Sequence, residues 1–150
     1  QPRRQRQMCI RDRNNINIVN IAAHSSHCEV WVAGGKVRIG DNAVIGSIAA
    51  SFIKNFKIDY AIVGISAIDE GGTLLDFDHE ELLVSQAIYK QSRKIILIAD
   101  ANKFNRKAPY VAGNLSDVDI FVTDLRPSKN ILKICKKNNV RVIITFPLNK

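Results

Sequence analysis

The sequence predicts an α/β fold: a mostly parallel sheet with helices on both faces. Two observations carry this. From Asn14 onward helical and strand-like signals alternate along the chain, and the strand-like runs, such as residues 60–65 and 95–99, are continuously apolar instead of alternating. Continuous runs suit strands covered on both sides, and strands separated by helices need crossover connections, which are the mark of parallel pairing. The chain has 150 residues, 46% of them hydrophobic and 24% charged, which suits one domain with one core and excludes a disordered, collagen-like or coiled-coil chain.

The elements follow in order. Ile16, Val19, Ala22 and Ala23 share one helical face, and residues 28–33 form a β-rich run ending at Gly34-Gly35. Ile45, Ile48, Ala49, Phe52, Ile53 and Phe56 mark a second helix, followed by the strand-like run 60–65. Asp78 is placed to cap a third helix, and Glu81 three residues later fits a capping box ahead of Leu82, Leu83, Ala87 and Ile88. Further strands are expected at 95–99, 120–123 and 140–146. A helix bearing Ile131, Leu132 and Cys135, entered at Pro127-Ser128, lies between the last two.

The net charge of +8 is unevenly placed. Residues 1–13 hold five arginines against the single acid Asp12, half of the excess, and show no apolar period. This segment resembles adapter-derived sequence, is read as a non-native or disordered basic segment, and is set apart from the fold at 14–150; a basic nucleic-acid arm is the alternative. The milder charge of the remainder suits a solvated face. No apolar run approaches the ~20 residues that span a bilayer, and no signal peptide opens the chain, so a soluble, cytoplasmic protein without a membrane partner is expected. Cys9, Cys28 and Cys135 form neither a CxxC pair nor a secreted framework and read as reduced thiols or small core residues.

In parallel sheets ligands bind beyond the carboxyl ends of the strands. Those ends are polar and glycine-rich here: Gly34, Gly35, Lys36 and Arg38, then Gly64-Ile65-Ser66, then Asp100 to Lys103. Glycine lets a ligand approach the backbone, and Lys36, Arg38 and Lys103 offer positive charge, so a small anion would fit; the plainer alternative is a turn with solvated lysines. Neither GxxxxGK[ST] nor GxGxxG is present. His24, His27 and His79 lack the spacing of a metal site, and no metal or cofactor is expected. The acidic group Asp76, Asp78, Glu80 and Glu81 could serve acid/base chemistry, but the capping box already accounts for two of its members.

The stretch running from Val63-Gly-Ile-Ser-Ala-Ile-Asp69 through Gly72-Thr-Leu-Leu-Asp-Phe-Asp78, with Glu81, Ile98-Ala-Asp-Ala-Asn-Lys-Phe104 and Val118-Asp-Ile-Phe-Val-Thr-Asp124, resembles the effector-sensing domain of DeoR-type transcriptional regulators. The resemblance runs over residues 14–146, and its GISxID and LLxFD wording is nearest the glycerol-3-phosphate-responsive branch. It implies a fold related to ribose-5-phosphate isomerase and a phosphorylated sugar or polyol as effector. It also implies a DNA-binding repressor whose operator is read by an amino-terminal winged helix-turn-helix, and assembly as a homo-oligomer. On this comparison the chain is a truncated sensor domain, without the helix-turn-helix and without the sensor's first strand and phosphate loop.

The resemblance also assigns residues to an effector site. Asn14 matches the family's Thr-Asn motif, Gly34 and Gly35 its Gly-Gly loop, and Arg38 the basic residue after it. Asp100 and Lys103 match Asp-His-Ser-Lys-Phe, although Ala101 and Asn102 replace its His and Ser. Ser85 stands where many members carry lysine. The expected class is a non-enzymatic sensing module. The rival is a sugar-phosphate isomerase-like enzyme, which would need a carboxylate base and a lysine that the third helix does not present.

Overall fold

The structure, a computed structural model, describes residues 16–24 and 29–145. In chain order it holds α1 (Ile16–Ala23), β1 (Lys36–Val37), β2 (Val44–Ile45), α2 (Ser47–Ile53), β3 (Ile58–Val63), β4 (Ala67–Ile68) and β5 (Thr73–Asp76). These are followed by α3 (His79–Gln91), β6 (Ser92–Ile98), β7 (Tyr110–Asn114), β8 (Ile120–Thr123), α4 (Lys129–Lys137) and β9 (Arg141–Ile144). The α/β class holds. Strands β3, β6, β8 and β9 form a four-stranded sheet in that order, every neighbouring pair parallel.

The register sets the core. Val63, Leu97, Phe121 and Val142 stand side by side across the sheet, flanked by the Ala61–Ile95 pair. Ala61, Val63, Ile95, Leu97 and Phe121 are buried, and Val84, Ala87 and Ile88 of α3 join them with Ile131 and Cys135 of α4 in one cluster. α3, which follows β3, and α4, which follows β8, thus share one core with the inward-facing row of the sheet. Tyr60, Ile62, Ile96, Ile98, Ile120, Val122 and Ile143 alternate with the buried rows and all keep some exposure. No helix among the described residues is long and apolar enough to cross a membrane.

Several sequence expectations change. Residues 29–34 carry no regular structure; the strand expected at 28–33 is replaced by the short antiparallel pair β1–β2, because a β-rich run becomes a strand only where a ladder partner lies beside it. Cys28 and Phe146 lie outside the described residues, as do Asn14 and the basic segment 1–13. Ile45 belongs to β2 and Phe56 follows α2, while Ile48, expected on the buried face, is 68% exposed. A second sheet, β4-β5-β7, is wholly antiparallel and was not anticipated. The helix starts hold: Asp78 and Ser128 cap α3 and α4, accepting from the Glu80 and Ile131 backbone N–H groups. Glu81 does not complete a capping box; its carboxylate turns to Arg38, because a charged partner makes the stronger hydrogen bond.

Candidate functional site

Because Val63, Leu97 and Phe121 are in register, the segments leaving β3, β6 and β8 emerge together along one edge of the parallel sheet. Gly64 to Ser66, Ala99 to Lys103 and Asp124 therefore line this carboxyl-end edge, where ligands of such sheets bind. Carboxylates stitch it together. Asp124 Oδ1 accepts from the Ala101 backbone N–H at 2.7 Å, and Asp100 Oδ1 accepts from the Asn102 N–H at 3.0 Å, capping the 3-10 turn Ala101–Lys103. The turn is anchored from the other side by Phe104, which stacks edge-on against Phe121, and by Asn105, whose N–H donates to the Ile68 carbonyl. Lys103 rides on this braced turn, partly exposed, and makes no ion pair among the described residues.

The β3 end connects to a second group of charges. Ser66 Oγ donates to Asp76 Oδ1 at 2.8 Å, and Asp76 is 3% exposed. Asp76 also lies close enough to Glu81 to disfavour its charge, and burial is the main reason that the Glu81 carboxyl is pushed above the usual range. Glu81 accepts from Arg38 Nη1 at 2.6 Å and Asp78 from the same nitrogen at 3.0 Å. Asp41 takes the Nε edge at 3.1 Å. The Arg38 guanidinium thus meets three carboxylates, which raise its pKa, while its positive charge and the backbone bonds at Glu80 and Glu81 hold Asp78 below the ordinary carboxylate value against the opposing effect of burial. Lys36 Nζ sits 2.8 Å from Glu80 Oε2 on a more exposed surface.

The residues expected at the site are thus divided. Lys103 and Asp100 stand on one braced turn, and Lys36 and Arg38 are engaged by the start of α3. Gly35 serves packing: its φ is +151°, and a Cβ there would lie 3.0 Å from the Ile45 carbonyl oxygen and 3.2 Å from Val44 Cγ1. At Gly34 an added Cβ would meet nothing within 4 Å. Sequence reasoning placed Ser66 at a strand end but did not pair it with Asp76, which it took only as part of an acidic run; part of the signal was available, since Asp76 lies two residues from Leu74 on a strand and so faces the core. Thr123 Oγ1, at the end of β8, is buried without a hydrogen-bond partner among the described residues. No group of three or more His, Cys, Asp or Glu among those residues is arranged to hold a metal ion.

The decisive comparison is with known families: residues 13–125 match the DeoR C-terminal sensor domain. The chain belongs to the DeoR family. It is 34% identical over 129 residues to the glycerol-3-phosphate regulon repressor of Escherichia coli strain K12, covering 86% of this chain and 51% of that protein. The protein of the same name from Haemophilus influenzae is 37% identical over 131 residues, 87% of this chain and 51% of its own. The HTH-type transcriptional repressor CsqR of E. coli K12 is 30% identical over 131 residues, again 87% of this chain and 50% of that one. The chain spans about half the length of the curated relatives it matches. All three relatives are named as transcriptional repressors.

Proposed function

We propose that this chain is the ligand-sensing part of a cytoplasmic transcriptional repressor, and that its effector is a phosphorylated sugar or polyol, glycerol 3-phosphate first among them. The observation that carries the reading is Lys103, without an ion pair among the described residues and carried on a capped turn at the carboxyl-end edge of the parallel sheet. A cation presented this way suits a phosphate, and the backbone N–H groups of the adjoining turns supply further donors. The relatives named for glycerol 3-phosphate at 34% and 37% identity favour that effector. In this reading operator DNA is contacted by a helix-turn-helix domain outside the sensor, and the sensor mediates assembly into a homo-oligomer. The isomerase-like alternative is disfavoured by the α3 side chains, since Glu81 is engaged by Arg38 and Ser85 supplies no lysine.

Titration calorimetry with glycerol 3-phosphate and with glycerol tests the reading. Glycerol 3-phosphate should bind and glycerol should bind at least about tenfold more weakly, because losing one charge-assisted hydrogen bond already costs about 1.5–3 kcal/mol. Equal affinity for the two would contradict it.

A further inference from the structure

The segment joining β1 to β2 is held by charge more than by packing. Its tip exposes Ile39 at 98%, and Gly40 at φ +114° and Asn42 at φ +58° turn the chain there. Three of the five ion pairs among the described residues tie this hairpin to the start of α3, Lys36 to Glu80 and Arg38 to Asp78 and Glu81, and a fourth, Arg38 to Asp41, braces it from within. Val44 and Ile45, by contrast, are buried, so the far side of the hairpin is anchored in the core while its tip lies on the surface. The tip also reaches a second element. The Ile16 backbone N–H donates to the Asn42 carbonyl at 3.1 Å, and Asn42 Nδ2 donates to Asn17 Oδ1 at 3.3 Å, tying the turn to the first residues of α1.

We propose that residues 36–42 form an electrostatic latch in which Asp78 and Glu81 hold the Arg38 guanidinium in place of an anionic ligand, so that ligand binding displaces them and shifts the tip together with the start of α1. The proposal rests on the reading of this chain as a phosphate sensor. Three carboxylates around one guanidinium leave an excess of negative charge, with Asp76 adding to it behind Glu81. A phosphate group offers Arg38 the same pattern of oxygen acceptors with more charge on one centre, so it competes for the same N–H donors. A ligand shifts a conformational equilibrium only through its different affinity for the two states; exchanging internal carboxylates for the ligand at Arg38 supplies that difference. Asn42 carries the change to α1 through the two bonds already in place.

The test neutralises the latch while keeping the helix cap. In the Asp78→Asn/Glu81→Gln variant, asparagine caps a helix as well as aspartate does, and glutamine keeps the shape of Glu81. Amide hydrogen exchange is measured first without ligand. The Arg38 and Asn42 N–H groups, which donate to the Ala43 and Arg38 carbonyls at 2.8 and 3.1 Å, and the Ile16 N–H should exchange about tenfold faster in the variant, with β6 and β8 amides unchanged. Unchanged exchange at all three overturns the latch. Glycerol 3-phosphate is then titrated into both proteins, and the variant should bind it about five- to tenfold more tightly because less internal pairing must be displaced. Binding to the parent that is equalled or weakened in the variant overturns the competition while leaving the phosphate site intact. Failure of both proteins to bind defeats the site reading and the competition together.

Discussion

Replacing Lys103 with alanine is expected to weaken glycerol 3-phosphate binding by roughly ten- to a hundredfold, the equivalent of about 1.5–3 kcal/mol for one hydrogen bond to a charged group. The size of the effect follows from the geometry. Lys103 has no carboxylate partner to release among the described residues, so its interaction with a phosphate is not offset by breaking an internal pair. Arg38 differs, since any anion must take it from Asp41, Asp78 and Glu81. Lys133→Ala, on the exposed face of α4, serves as the control and should leave binding unchanged. Titration of the two variants beside the parent, with melting curves to establish that each is folded, decides the matter. A folded Lys103→Ala protein that binds like the parent removes this side chain from the site.

The largest loss of stability is expected from Phe121→Ala, about 3–5 kcal/mol in urea denaturation. Phe121 is fully buried on β8, pairs with Leu97 and Val142 across the sheet, and meets the Phe104 ring edge-on at a centroid distance of 6.0 Å. Truncation removes apolar contact and leaves a cavity between the sheet and the turn that carries Lys103, so ligand affinity should fall as well. Leu125→Ala, 56% exposed just beyond the strand, should change stability by no more than about 0.5 kcal/mol. A loss below about 1 kcal/mol for Phe121→Ala would contradict the placement of the core.

How much of this was legible in the sequence depends on the range of the interaction. The parallel strands declared themselves as unbroken apolar runs, as in residues 95–99 and 120–123, although only one row of each is fully buried and Ile96, Ile98, Ile120 and Val122 keep some exposure. Asp78 and Ser128 were legible as caps because a cap acts within one turn. The antiparallel sheet was not. Its strands are two to five residues long, Gly71-Gly72 and Gly113 interrupt the pattern, and β5 finds its partner β7 only after the whole of α3 and β6 has intervened. Glu81 shows the same limit, since the local pattern assigned it to a capping box while the fold assigns it to Arg38, 43 positions earlier. For the site, the strand-end rule led to Asp100 and Lys103, but two of the three carboxylates that engage Arg38, Asp78 and Glu81, come from the start of α3, and no spacing along the chain announced that meeting.

The central claim is that a small phosphorylated ligand binds at the carboxyl-end edge of the parallel sheet, and amide chemical-shift mapping during titration with glycerol 3-phosphate tests it most directly. Saturable shifts are expected to concentrate at Gly64 to Ser66, Asp100 to Lys103 and Asp124, with a second set at residues 36–42 as Arg38 changes partners, and glycerol at the same concentration should produce none of them. Shifts that fail to saturate, or that fall on the opposite end of the sheet around Ile58, Ser92 and Arg141, would contradict it.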